Sequence, residues 1–266
     1  MQSVADEYGF AICYPDGTID QNGDRFWNVG YNFHQNQTVD DVGFLSELAV
    51  HLQNEYNLSS ENTFASGMSN GAEMSYMLSC FSSETFKAIA PVAGTMFGES
   101  WTDCSSDPKS VLEIHGTNDN VTLWEGASND TYWGPYPGTE EVIDYWVDLN
   151  DCNSNENIFL PDMNTIKHRY YDCTEGNEVW LYEVVGGGHD WPSYSSQEIW
   201  NFFASFIDLT IGDLNEDENI NILDIIILVN HILSAEPVEL EGADINDDMA
   251  VNILDVVALV NIILGN

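Results

Sequence analysis

Positive charge is the scarcest thing in this sequence. Five Lys and Arg stand against 45 Asp and Glu, a formal net charge of -40 over 266 residues, and no Lys or Arg follows Arg169. Such a surface repels phosphate backbones and anionic headgroups, which excludes nucleic acid and membrane surfaces as partners and leaves salt or bound cations to relieve the self-repulsion. No apolar run reaches the ~18 residues of a membrane span, and MQSVADEYGF holds no signal-peptide apolar core. The five cysteines, Cys13, Cys80, Cys104, Cys152 and Cys173, never form a CxxC pair, so neither a zinc ribbon nor a thioredoxin-type centre is available. Disulfides Cys80–Cys104 and Cys152–Cys173, formed in an oxidising compartment, are the expected use of four, with free cytosolic thiols the alternative. Cys13, inside the apolar run FAIC, is expected to be a buried free thiol. The expectation is a secreted, extracellular protein whose export signal is absent from this chain.

Against these absences, 44% apolar residues suffice for a real core. Up to residue 208, short apolar runs alternate with helical patterns. GFAICYP (9–15), NTFASG (62–67), FKAIAPVAG (86–94), SVLEIHG (110–116) and EVWLYEVVG (178–186) read as strands. Residues 42–56, 71–81, 140–150 and 196–207 read as helices. That alternation predicts an α/β fold, a mostly parallel sheet covered on both faces. From residue 211 the texture changes, because GDLNEDENINILDIIILVNHIL is answered by ADINDDMAVNILDVVALVNIIL at an offset of 31 residues, Asp213 to Asp244. A duplicated unit of this kind predicts a second, small all-α domain over 211–266, after a first domain over 1–208.

Each copy sets oxygen-bearing side chains at positions 1, 3, 5, 9 and 12 of a loop. They are Asp213, Asn215, Asp217, Asn221 and Asp224, then Asp244, Asn246, Asp248, Asn252 and Asp255. Hard cations such as Ca²⁺ take 6 to 8 oxygens, and this spacing wraps a loop around one ion, with Asn219 and Ala250 at position 7 giving backbone carbonyls. The bland alternative is a pair of acidic turns before two helices. The apolar helices behind the loops are expected to pack on each other. One helix per loop resembles the dockerin type I domain, which implies two Ca²⁺ sites and a cohesin-bearing scaffold as partner. Two features depart from that pattern: position 6, commonly Gly, is Glu218 or Met249, and the partner-reading positions 10 and 11 are apolar, as Ile222, Leu223, Ile253 and Leu254.

The stretch FASGMSNGAEMSYML places Ser69 between Gly67 and Gly71, behind a strand pattern and ahead of a helix pattern. In that context a Gly-x-Ser-x-Gly match reads as a nucleophile elbow, where a strained turn exposes a serine hydroxyl. Serine needs a base oriented by a carboxylate, and the α/β-hydrolase order is Ser, acid, His on loops after later strands. TNDN behind SVLEIHG offers Asp119, and GGHDWP behind EVWLYEVVG offers His189. His115 lies inside a strand pattern and reads as a structural hydrogen-bonder. The N–H of Asn70, next after the serine, is a candidate oxyanion donor.

YGFAICYPDGT, DDVGFL, GMSNGAEMSYML, FKAIAPVAGT, LEIHGTNDNV and VVGGGHDWP together resemble the extracellular polyhydroxybutyrate depolymerase and feruloyl or acetylxylan esterase family over residues 4 to 207. The resemblance implies Ser69 as nucleophile, Asp119 as orienting acid, His189 as general base and an ester substrate. It also implies Trp27 and Trp191 as pocket walls for an aromatic acyl group or a sugar, with ordinary core packing as the alternative. Family members begin earlier, so the first domain is expected to be N-terminally incomplete and to lack the loop giving the second oxyanion donor. The expected function is a serine esterase acting on feruloyl or acetyl esters of plant cell-wall polysaccharide, with no cofactor in catalysis. The alternatives are a polyhydroxyalkanoate depolymerase and a catalytically impaired, calcium-dependent anchoring protein.

Overall fold

The chain, here a computed structural model, is described over residues 1–207, 211–215, 219–234, 240, 242–246 and 248–265. It opens with α1 (Gln2–Tyr8) and a small antiparallel ribbon, β1 (Thr18–Ile19) with β2 (Arg25–Phe26). Then come α2 (Asp41–Tyr56), β3 (Phe64–Met68), α3 (Asn70–Phe81), β4 (Ala88–Val92), α4 (Glu99–Thr102), β5 (Ser110–Gly116) and α5 (Thr139–Leu149). A pair of strands, β6 (Ser154–Leu160) and β7 (Thr165–Tyr171), precedes β8 (Val179–Val184) and α6 (Ser195–Ala204). The large sheet has the order β3-β4-β5-β8-β7-β6; the first four strands run parallel, and β7 and β6 are antiparallel additions. Parallel neighbours need long crossovers, and helices supply them.

Period-two side-chain alternation distributes the core over both faces of the sheet. Ala88, Ala90, Val92, Leu112, Ile114 and Tyr182 face Ile199, Phe202 and Phe203 of α6. Ile89, Val111, Val179 and Leu181 face Tyr76 and Cys80 of α3 and Val142, Ile143 and Trp146 of α5. The same parity that buries Val111 beneath α3 and α5 carries Glu113 and His115 to that side, so two ionisable groups sit inside the core with about 1% of their surface exposed.

The four helices expected in this region are present within three residues of their expected bounds, and four of the five expected strands form. GFAICYP does not: residues 10–17 carry no paired strand. An extended run becomes a strand only through a partner's ladder bonds, and among the described residues β3 pairs with β4 alone. Cys13 is consequently exposed rather than buried, a free thiol on an uncovered segment. Both expected disulfides, Cys80–Cys104 and Cys152–Cys173, are formed.

Contacts divide the chain into two units, Met1–Val50 with Glu61–Phe206, and His51–Ser60 with Ile207–Asn266. In the second lie α7 (Ile222–Leu233) and α8 (Ile253–Leu264), capped alike by Asn221 and Asn252. Leu228 and Leu259 pack with Leu214 and Ala243 into one small core, so the duplicated helices share an interior. Among the described residues no helix is long and apolar enough to cross a membrane.

Candidate active site

Between β3 and α3 the chain must turn from strand to helix within one residue. Ser69 does so at φ 55° and ψ -121°, a left-handed conformation that costs a non-glycine residue about 1–3 kcal/mol. Its N–H donates to Val92 O (2.9 Å), and its own carbonyl accepts from the amides of Ala72 (2.8 Å) and Glu73 (3.0 Å). The two flanking glycines have different duties. A Cβ on Gly67 would lie 2.4 Å from the carbonyl carbon and oxygen of Gly71, whereas one on Gly71 would meet nothing within 4 Å. Gly67 is thus required for close backbone approach.

Asp119 and His189 are brought together from the ends of β5 and β8. Those ends close on each other because Gly116 has no side chain; a Cβ there would lie 2.4 Å from Gly187 O. Asn118 N–H donates to Gly187 O (2.8 Å), and Gly186 N–H donates to Thr117 Oγ1 (2.8 Å). Across this seam His189 Nδ1 meets Asp119 Oδ2 at 2.8 Å, while Asp119 Oδ1 accepts from the amides of Val121 (2.8 Å) and Thr122 (3.0 Å). Burial pushes the Asp119 pKa up, but hydrogen bonds from His189 and Val121 and the positive fields of His189 and His115 outweigh it, holding the carboxyl below its ordinary value. His115 sits in β5 with both ring nitrogens occupied, by Glu113 Oε1 (2.9 Å) and Thr122 O (2.9 Å).

Ser69 opens into a cleft with Val121 and Thr122 of the Asp119 loop; Tyr31, Glu73 and three aromatic side chains, Phe97, Trp133 and Tyr136, complete the lining. No hydrogen bond joins Ser69 Oγ to His189 in the structure. Asn70 occupies the first position of α3, where an N–H has no intrahelical acceptor. Its side chain grips the backbone of Trp27: Trp27 N–H donates to Asn70 Oδ1 (2.6 Å), and Asn70 Nδ2 donates to Trp27 O (3.0 Å). The Trp27 ring packs beside the core of Val29, Tyr31 and Met74, and Trp191 beside that of Ile199 and Phe202; neither lines the cleft.

Composition and spacing gave no hint of the cleft's aromatic wall. Glu73 did carry a signal: it is an acid four residues after Ser69, on a face of α3 that otherwise holds core residues. It is 2% exposed and shares a hydrogen bond with the Tyr31 hydroxyl. Burial dominates its titration, and with the repulsion of Glu113 it overcomes the hydrogen bonds from Tyr31 and Asn70 to push the pKa up to about 8.

In the second unit, Asp255 is fully buried and accepts at Oδ1 from Ile245 N–H (2.9 Å) and Asn246 N–H (3.3 Å) and at Oδ2 from Asn252 N–H (2.7 Å). Asp224 repeats the arrangement with the amides of Leu214, Asn215 and Asn221. Asp244 Oδ1 and Asn246 Oδ1 both accept from Asp248 N–H (3.1 and 3.0 Å), so the oxygens of positions 1 and 3 converge on one point. The carbonyls of Asn219 and Ala250 accept from Asn221 Nδ2 and Asn252 Nδ2. Asp217 lies outside the described residues. Among the described residues no three His, Cys, Asp or Glu close on a common point, yet the donor set is all oxygen and present in duplicate, which fits a hard cation.

Residues 1–157 match the model of the esterase PHB depolymerase family. The chain belongs to that family. Residues 211–264 match the dockerin type I domain. A bifunctional acetylxylan esterase/xylanase of Neocallimastix patriciarum is 24% identical over 211 residues, 77% of this chain and 28% of that protein. Feruloyl esterase B of Piromyces equi is 26% identical over 204 residues, 74% of this chain and 37% of its own length. The chain therefore spans well under half the length of either relative. An acetyl xylan esterase structure from Aspergillus awamori superimposes with a TM-score of 0.50 at 16% identity, covering 77% of this chain and 81% of that one, which shows a shared fold. This PHB depolymerase family member thus carries an α/β-hydrolase-like sheet followed by a helical dockerin region, and its His189 lies beyond the stretch matched by the family model.

Proposed function

We propose that this protein is a secreted serine esterase that hydrolyses carboxylic esters through an acyl-enzyme. The observation that carries the reading is the Asp119–His189 pair at 2.8 Å, on a seam shared with the loop that lines the Ser69 cleft. Asp119 accepts the Nδ1 proton of His189, which fixes the tautomer with Nε2 unprotonated and ready to act as base. Ser69 Oγ attacks the ester carbonyl as His189 Nε2 takes its proton; the alkoxide that forms faces the N–H of Asn70. His189 returns the proton to the departing alcohol, then activates a water that releases the acid and restores Ser69. No cofactor enters this scheme.

The substrate we assign is a feruloyl or acetyl ester of plant cell-wall polysaccharide. Its support is the aromatic cleft wall, the names of the two relatives and the dockerin region. Domain limits of 1–208 and 211–266 follow the two sequence textures. In the second domain Ca²⁺ would be held by Asp213, Asn215, Asn221 and Asp224 with the Asn219 carbonyl, Asp217 being the fifth side chain that the loop spacing calls for, and by Asp244, Asn246, Asp248, Asn252 and Asp255 with the Ala250 carbonyl. Bound calcium supplies positive charge that offsets the acidic loops. Ile222, Leu223, Ile253 and Leu254 stand at least half exposed at the helix starts, a surface suited to a cohesin-bearing scaffold.

The test is hydrolysis of p-nitrophenyl acetate by the wild type and by Ser69→Ala. Turnover abolished in the alanine variant supports the reading. Equal rates in both refute it and favour the impaired anchoring protein. Methyl ferulate, acetylxylan and polyhydroxybutyrate compared side by side then identify the ester class.

A further inference from the structure

The proton inventory at Tyr31 leads beyond a single backbone donor for the oxyanion. A phenol has one proton and two lone pairs. Trp27 N–H has only a proton to offer, so it fixes which end of the Asn70 amide is oxygen, and Asn70 Nδ2 must therefore donate to Tyr31 Oη (3.2 Å). The remaining neighbour is Glu73, whose Oε2 accepts from the Tyr31 hydroxyl as the side chains lie in the structure. An ionised Glu73 would take the Tyr31 proton and leave the hydroxyl nothing to give. A protonated Glu73 instead donates to the second lone pair, and the Tyr31 proton is left for the cleft that Tyr31 shares with Ser69.

The surroundings of Glu73 decide between these states. It is buried on α3, and the groups named in its environment are Tyr31 from the segment after β2, Asn70 from α3 and Glu113 from β5. Tyr136, ahead of α5, also feels its charge. Glu113 is itself tied to His115 and Tyr76. Among the described residues no ion pair reaches Glu73, and the charge of Glu113 repels its own. Its acid form therefore persists to about pH 8.

Resting on the esterase reading, we propose that the Tyr31 hydroxyl, oriented by Asn70 and Glu73, donates to the oxyanion formed at Ser69, as a second donor beside the Asn70 N–H. Tyr31 is thus a catalytic residue and Glu73 a positioning residue. A hydroxyl that accepts two hydrogen bonds is polarised into a better donor, and a tyrosine paired with a protonated carboxyl serves an oxyanion in ketosteroid isomerase.

The experiment measures kcat and KM for p-nitrophenyl acetate between pH 6 and 10, for wild type, Tyr31→Phe, Glu73→Leu and Glu73→Gln, with melting curves for each. Tyr31→Phe should lower kcat about 10²- to 10³-fold with little change in KM. Wild-type kcat should decline above pH 8 as Glu73 ionises and recaptures the proton. Glu73→Leu should lower kcat, and Glu73→Gln, whose amide donates at every pH, should restore most of it with the decline gone. Tyr31→Phe with kcat within about threefold of wild type, or Glu73→Gln with the wild-type decline, overturns the proposal. If Tyr31→Phe fails to fold, the Glu73→Gln profile decides alone. A wild type no faster than Ser69→Ala overturns the esterase reading and this one together; an active wild type with an unaffected Tyr31→Phe overturns this one only.

Discussion

Replacing Asp119 by Asn should leave the fold standing and remove nearly all turnover. Asp119 Oδ1 is pinned by two amides, Val121 N–H and Thr122 N–H, neither of which accepts a hydrogen bond. An asparagine must therefore keep its oxygen on that side and turn its NH₂ toward His189. The NH₂ can only donate, so His189 Nδ1 becomes an acceptor and its proton moves to Nε2, the atom that has to receive the Ser69 proton. In a serine protease the equivalent change lowers kcat about 10⁴-fold, or about 5 kcal/mol of transition-state stabilisation at 1.36 kcal/mol per tenfold. Stability should change little, since the two amide bonds persist and a hydrogen bond to His189 is retained. Initial rates with p-nitrophenyl acetate, beside a melting curve, measure both quantities. A well-folded Asp119→Asn variant within tenfold of wild-type kcat would refute the reasoning, because the tautomer argument leaves no room for it.

Four further outcomes are expected. Gly67→Ala should destabilise by about 1–3 kcal/mol and abolish activity, because its Cβ would overlap the Gly71 backbone; Gly71→Ala should be tolerated, and equal melting shifts in the two would contradict this. Because Glu73 titrates at about 8 when folded against 4.5 ordinarily, the folded state binds the extra proton between those values. Its contribution is complete below 4.5 and lost as pH rises through 8, so urea midpoints should fall less steeply with pH in Glu73→Gln than in wild type, and equal slopes would contradict this. Calorimetry should show uptake of two Ca²⁺ ions per chain, one in Asp255→Ala, with chelator lowering the melting temperature of the second unit. Reduction of Cys80–Cys104, whose cysteines are 24 residues apart, should cost about 3 kcal/mol, read as a lower urea midpoint in the Cys80→Ser, Cys104→Ser double variant.

Much of the sheet was legible because β4, β5 and most of β8 are buried runs rich in apolar residues, and β3 a half-buried one, between helices, the pattern that a parallel sheet writes into a chain. The β6–β7 pair was not, since SNENIFL and TIKHRYY are polar strands. They are held instead by ion pairs from Arg169 to Glu156 and Glu178 and by Lys167 over the Trp180 ring. GFAICYP failed in the opposite way, as an apolar run that found no partner. In the site, Ser69, Asp119 and His189 stood out because each sits at the end of a strand pattern among turn residues. Tyr31 comes from one irregular segment and Trp133 and Tyr136 from another far along the chain, and only the folded chain brings them to one cleft. Glu73 was not among the residues read from the sequence, although a lone acid on a core-facing helix surface is a signal that could have found it.

The left-handed turn at Ser69 has a consequence for robustness. Glycine adopts that conformation without penalty, so Ser69→Gly should melt at a higher temperature than the wild type even as it loses its nucleophile. The hydroxyl is kept where the backbone would prefer no side chain at all. A screen that rewarded heat resistance alone would therefore be drawn to the one substitution that silences the molecule.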